Sequence, residues 1–367
     1  MASSAERVLT TRELNRATLA RQLLLERAAI TPLAAIERLF ALQAQVARPP
    51  LVGLWTRVHG FTRAQLHRLL HDRAIVRATL LRGTLHLISA ADFIASRAAL
   101  QPMLDAGMAA ILKQRAAAID LGELAAFART RLPSTFDALR PTLLERFPSS
   151  DERALGFAVR MQLPLVQVPT TDDRWSFPGN PVFESAQAWL GRPFASNTAL
   201  APLVRRYLAA FGPATVKDAE RWSGLARLAP VFDQLRGELV TFRDDKRRQL
   251  FDLPDAPRPP ADTAAPVRLV PDFDNLVLGH DDRRRVISDE HRPSLTTRNL
   301  QVKATFLVDG FVAGTWTVER TKAEATVVLA PFARLARAAR AALEEEADAL
   351  LSFVEPDAAR RATRVAP

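Results

Sequence analysis

Ile75-Val76-Arg77-Ala78-Thr79-Leu80-Leu81-Arg82-Gly83-Thr84-Leu85-His86-Leu87-Ile88 is the stretch on which the fold turns. Residues 75–80 and 83–88 read as two short strands that meet at Leu81-Arg82-Gly83. Upstream the apolar period is helical. It predicts a helix from Leu14 to Arg27, with Leu19, Leu23 and Leu24 on one face, and another from Pro32 to Gln45, with Leu33, Ile36, Leu39 and Phe40. A third runs from Arg63 to His71 through Leu66, Leu69 and Leu70. Thr31-Pro32 is a start signal, because the hydroxyl caps free amides and proline tolerates the first helical turn. Three helices followed by a β-ribbon make a winged helix.

Working outward, the same order recurs twice. Helical segments at Leu124–Arg131, Ala138–Glu145 and Glu152–Met161 precede two strands, Leu165–Val168 and Trp175–Phe177, around a Thr170–Arg174 tip. Ala201–Ala210, Thr215–Ser223 and Leu228–Leu235 precede Leu239–Phe242 and Gln249–Phe251, around Arg243–Arg248. Ordinary α+β alternation is the competing reading of this repeat. Pro257, Pro259, Pro260 and Pro266 mark a linker at 255–266. Beyond it the chain is strand-rich. Asp309-Gly310, flanked by apolar residues from Thr305 to Trp316, is the strongest hairpin signal, and Val267–Leu269, Thr317–Glu319 and Ala325–Leu329 join it in a small antiparallel sheet or barrel. Arg334–Val354 reads as a terminal helix with Glu344-Glu345-Glu346 solvated. The predicted fold is α+β: winged helices over 1–95, 122–190 and 191–254, a helical connector at 96–121, and a β-rich C-terminal domain with a terminal helix over 267–367.

The 367 residues include no cysteine, which excludes disulfides, thiolate metal sites and a cysteine nucleophile. No stretch reads as a signal peptide or membrane span, so a cytoplasmic protein is expected. The net charge is +10, and residues 1–100 carry 14 Lys/Arg against 6 Asp/Glu. Arginine richness alone can reflect a GC-rich genome, but that leaves the N-terminal excess unexplained and points to a nucleic-acid-facing module.

There is no GxGxxG, P-loop, HExxH or GxSxG. His67 and His71 lie four apart on the third helix but lack a third ligand, so no metal is expected. Gln43 and Gln45 stand at the end of the second apolar helix, before Arg48-Pro49-Pro50. Two neutral amides can hold a water or read a nucleotide edge, while the plainer reading is a solvated helix terminus. Arg82, Thr84 and His86 fall on the first wing, where they can reach DNA; His86 reads equally well as core-facing. Arg243, Lys246, Arg247 and Arg248 on the third wing are candidate phosphate contacts. His280, Arg283 and Arg284 follow an apparent strand and suit either a DNA-contacting tip or a solvated charge run.

Leu42-Gln43-Ala44-Gln45, Leu81-Arg82-Gly83-Thr84-Leu85-His86-Leu87, Phe273-Asp274-Asn275-Leu276-Val277-Leu278-Gly279-His280 and Phe306-Leu307-Val308-Asp309-Gly310-Phe311-Val312-Ala313-Gly314-Thr315-Trp316, in that order, resemble the winged-helix family of bacterial alkylpurine and crosslink-repair DNA glycosylases. The resemblance covers nearly the whole chain. It implies a C-shaped assembly of three winged helices with a C-terminal β domain, and a Gln-aliphatic-Gln active site that falls on Gln43 and Gln45, with the small Ala44 between them. It further implies double-stranded DNA as partner, with Arg48 among its contacts, association with the nucleoid, no cofactor, and activity as a monomer on cationic N7- or N3-alkylated purines. The alternatives are a non-catalytic winged-helix regulator and, more remotely, a β domain that senses a small molecule.

Overall fold

The computed structural model describes residues 6–116, 119–171, 174–194, 198–299 and 301–366. α1 (Thr11–Arg21) starts with a capping box in which Thr10 and Glu13 satisfy each other's free amides. It stops short of Arg27 because Leu23 turns left-handed at φ 57°. α2 (Pro32–Leu39) starts where Thr31-Pro32 directs, the Thr31 hydroxyl accepting from the Ala34 amide at 3.2 Å. The predicted continuation to Gln45 does not form. Phe40 takes φ 68°, and Ala41–Gln43 leave as a strand, β1. An unforeseen helix, α3 (Pro49–Trp55), follows; its two prolines occupy the first turn, where a missing N–H costs nothing. α4 (Arg63–His71), β2 (Ile75–Thr79) and β3 (Leu85–Ser89) then complete the winged-helix order.

α5 (Ala90–Ser96) and α6 (Gln101–Leu112) lead into the second unit: α7 (Leu121–Arg129), β4 (Ser134–Thr135), α8 (Phe136–Arg146), α9 (Glu152–Gln162), β5 (Leu165–Gln167), β6 (Val182–Ser185) and α10 (Ala186–Leu190). Here the return strand is Val182–Ser185 and not Trp175–Phe177. The aromatic segment is drawn inward instead, with Phe177 buried under the Arg77 guanidinium and Trp175 beneath that of Arg63. The first two wings are not free hairpins. They merge into one six-stranded sheet in the order β1-β3-β2-β5-β6-β4, with Arg77 opposite Gln167 and Ala78 opposite Val166.

The third unit, α11 (Ala201–Phe211), α12 (Val216–Ser223), α13 (Ala229–Gln234), β7 (Val240–Arg243) and β8 (Gln249–Asp252), keeps its hairpin separate, and the N-terminal segment joins its edge through Leu9 N–H to the Arg243 carbonyl, 2.8 Å. One apolar core runs through Phe40, Ile88, Leu104, Val166, Tyr207 and Trp222, so all three units share it. Burying such residues contributes about 1.5–3 kcal/mol each, which locks the units against one another.

In the C-terminal sheet, β9 (Arg268–Val270), β10 (Thr305–Val308), β11 (Phe311–Arg320) and β12 (Glu324–Pro331) are antiparallel neighbours. The β10–β11 turn is Asp309-Gly310, at φ 48° and 81° as this turn type requires. Thr317–Glu319 extends β11 and is not a separate strand. α14 (Arg337–Val354) covers the sheet with Leu343, Ala347, Leu350 and Leu351, after which β13 (Arg360–Val365) adds a parallel edge that the sequence reading missed. Glu346, expected in solvent, is buried and pairs with Arg27 at 2.7 Å. The expected strand before His280 is a 3-10 turn, Asn275–Val277, entered through Phe273 at φ 59°. Among the described residues no helix is long and apolar enough to cross a membrane.

Candidate active site and nucleic-acid interface

Side chains alternate along a strand, so β1 sends Leu42 and the following Ala44 into the core and leaves Gln43 and Gln45 on the other side. An extended backbone, not a fraying helix end, sets both amides on one side of the chain. Gln43 is 8% exposed, and its Oε1 accepts from Arg82 Nη2 at 2.9 Å. An arginine can only donate, so this bond fixes the amide with its oxygen toward Arg82 and its NH2 turned away. The same Nη2 reaches Asn275 Oδ1 at 3.1 Å, and Nη1 donates to the Trp222 carbonyl. Asn275 in turn donates to the Ala41 carbonyl at 2.9 Å, tying the 3-10 turn to the start of β1.

Gln45 is exposed on the wall of a cavity of about 880 Å³. Its Oε1 accepts from the Leu85 amide at 3.2 Å, which fixes its orientation and leaves one lone pair and the NH2 group for a ligand. Arg77 anchors the cavity floor through Ala44 O at 2.9 Å and Gln167 Oε1 at 2.6 Å; burial lowers its pKa to about 10, so it stays cationic. Across the cavity stand Phe136, Phe157 and Phe183. Asp272 also lines it. Its carboxylate meets Arg48 Nη2 at 3.3 Å and the Ala304 amide at 3.3 Å. The sequence reading missed Asp272, although it directly precedes the quoted Phe273-Asp274-Asn275 segment.

A family model described as "DNA glycosylase AlkZ-like" matches residues 36–353. The chain belongs to that family. Among curated proteins it is similar to the interstrand DNA cross-link repair glycosylase of Streptomyces sahachiroi, 26% identical over 337 residues that cover 85% of this chain and 88% of the relative. The solved structure of Streptomyces sahachiroi DNA glycosylase AlkZ superposes with a TM-score of 0.74 over 98% of this chain and 100% of that one, at 20% identity. That likeness shows the tandem winged-helix α+β fold.

Within this AlkZ-like chain, the residues expected on a free first wing are turned inward, because pairing of β2 with β5 closes the edge on which such a wing depends. Arg82 faces Gln43, and the Thr84 hydroxyl bonds the Leu81 carbonyl at 3.1 Å. His86 is fully buried, with Nδ1 3.0 Å from the Thr84 carbonyl; burial, reinforced by Arg82, lowers its pKa to about 3 and keeps it neutral. On the third wing Arg243 pairs with Glu6 at 2.5 Å and Arg248 with Asp244 and Asp282, both at 2.6 Å. Lys246 lies 3.8 Å from Asp282, while Arg247 is exposed at the tip. His280 is no surface tip either. It is 1% exposed, its Nε2 lies 2.9 Å from the Phe211 carbonyl, and burial together with Arg285 lowers its pKa to about 3. Arg284 closes on Asp282 at 2.8 Å, and Arg283 is buried. No group of three or more His, Cys, Asp or Glu suited to a metal occurs among the described residues.

Proposed function

We propose that this chain is a monofunctional DNA glycosylase that hydrolyses the N-glycosidic bond of cationic, N7- or N3-alkylated purines in double-stranded DNA and unhooks interstrand crosslinks, the lesion whose repair is in the name of its Streptomyces relative. The observation that carries the reading is Gln45, pre-oriented by the Leu85 amide, on the wall of a cavity that also holds the Asp272 carboxylate.

Alkylation at N7 or N3 makes the purine a cation and a good leaving group, so the enzyme has little acid catalysis to perform. Departure from C1′ leaves positive charge on the sugar. Gln45 would accept a hydrogen bond from the attacking water, and Gln43, two positions earlier and held by Arg82, would donate its NH2. Asp272, which lines the same cavity beside Arg48, would supply the negative charge that a pair of amides lacks to the developing oxocarbenium. Amides are weak bases, which favours labile cationic lesions over intact purines. A cavity of about 880 Å³ lies toward the upper end of the range of roughly 300–1,000 Å³ that holds drug-sized ligands, and so has room for a purine with a bulky adduct. The chemistry calls for neither metal nor cofactor, and three winged-helix units in one chain suit a monomer.

The test is alkali-revealed strand cleavage of a duplex carrying N7-methylguanine. Breaks above the spontaneous background with the wild type, lost in a Gln43→Ala, Gln45→Ala double variant, support the reading. No breaks on this duplex or on a crosslinked one, with DNA binding retained, would leave a winged-helix binding protein.

A further inference from the structure

Arg283, in the loop after His280, lies within electrostatic reach of Arg221 in the last turn of α12 and of Arg292, which opens the 3-10 turn Arg292–Leu295. Among the described residues none of the three guanidinium groups has a hydrogen-bond acceptor, an ion-pair partner or a ring to stack on. Arg283 is only 8% exposed, and its Nε is buried with no acceptor. The three arginines with no exposed surface are not left so. Arg16, Arg21 and Arg57, each fully buried, are met by Asp309, Asp252 and Asp274. An unpaired buried cation is costly, and here three like charges crowd together. Burial first, then Arg292 and Arg221, lower the pKa of Arg283 to about 10, and burial first, with Arg221 and Arg283 adding to it, does the same to Arg82. Asp281 alone opposes this at Arg283, and it is engaged by Lys217 at 3.1 Å.

The cluster is open on one side, since Arg221 is exposed and Arg292 half-buried. It borders the site through Arg82, whose other bonds hold Gln43 and the Trp222 carbonyl beside Arg221. A phosphodiester matches such a place: one negative charge and two free oxygens, each able to take a guanidinium fork.

We propose that Arg221, Arg283 and Arg292 together clamp a single backbone phosphate of DNA, next to the nucleotide presented to Gln43 and Gln45. This rests on the reading of the chain as a DNA-processing enzyme. Because the three arginines share one phosphate, the site sets register and affinity and reads no base.

Binding of the full chain to an undamaged labelled duplex, followed by anisotropy across a range of KCl concentrations, tests it. The plot of log affinity against log salt becomes shallower by about one in Arg283→Met, and still by only about one in the triple variant Arg221→Gln, Arg283→Met, Arg292→Gln. Arg283→Met also raises the Tm of the free protein, because a buried unpaired charge is gone. Arg221→Gln and Arg292→Gln, at more open positions, give the binding readout independently of any folding defect. A slope unchanged in all variants, a loss near three in the triple variant, or a lowered Tm in Arg283→Met overturns the clamp. Excision of N7-methylguanine is scored in parallel. A slope change in the variants with no excision by the wild-type protein retains the clamp and loses the glycosylase reading; excision with unchanged slopes does the reverse.

Discussion

Arg57 and Asp274 form a two-armed ion pair sealed from solvent, Nη1 to Oδ2 at 2.9 Å and Nη2 to Oδ1 at 2.8 Å. Arg57 follows α3, and Asp274 sits between Asp272 in the cavity and Asn275 behind Gln43. The pair therefore fastens the segment that supplies the carboxylate to the unit that supplies the glutamines. Arg57 Nε also donates to the Gln22 carbonyl at 2.9 Å, so all three guanidinium nitrogens are engaged.

Asp274→Ala leaves that guanidinium buried and uncompensated. A loss of about 3–5 kcal/mol is expected, read as a fall in the urea midpoint, with Asp272 displaced and excision lost alongside. A midpoint within error of wild type would show that the pair is not a fastening.

Arg82→Lys tests the orientation of Gln43. A lysine cannot reach Gln43, Asn275 and the Trp222 carbonyl from one planar group. Losing a charged hydrogen bond of about 1.5–3 kcal/mol predicts single-turnover excision slower by about ten- to a hundredfold, with KM little changed. A rise in KM at constant kcat would instead assign Arg82 to DNA binding.

Asp272→Asn keeps the shape of the cavity and removes the charge. Excision of N7-methylguanine should slow by about a hundredfold, while affinity for undamaged duplex stays the same or improves, since a negative charge near the phosphates is gone. An unchanged excision rate would remove Asp272 from the chemistry.

His86 and His280, each with a folded pKa of about 3, both lower stability in acid. In the unfolded chain they titrate near pH 6.5, so between about pH 6.5 and 3 the unfolded state binds more protons and stability falls as pH falls. Above about pH 7 neither contributes a slope. Tm scans of wild type and His86→Gln across this range should show the shallower acid limb in the variant, provided it folds; parallel limbs would mean that His86 is charged in the folded state. Because both imidazoles are already neutral, the excision rate should show no histidine titration between about pH 6 and 8.

Features settled within a few residues were legible in the sequence. The Thr31-Pro32 start of α2, the α4 stripe, the hairpin of the first wing and the Asp309-Gly310 turn all depend on side-chain caps and backbone torsions, which operate over three or four positions. The Gln-x-Gln motif was legible too, as residue types. Its setting was not: Ala41–Gln43 is a strand only because β3, more than forty positions on, offers Ile88, Leu87 and His86 as partners. Periodicity carries no record of a partner that distant, so the helix was extended through it. The same holds for the joining of β2 to β5, which turned an expected exposed wing into a wall and drew Arg82 and His86 inward. Asp272 reached the cavity from a segment more than two hundred residues away from Gln45. By itself the sequence determined which chemical groups were present and where the locally capped or turn-bounded elements begin. Tertiary structure decided which of those groups meet and which charges are buried, because strand pairing and desolvation are set by neighbours that only the folded chain brings together.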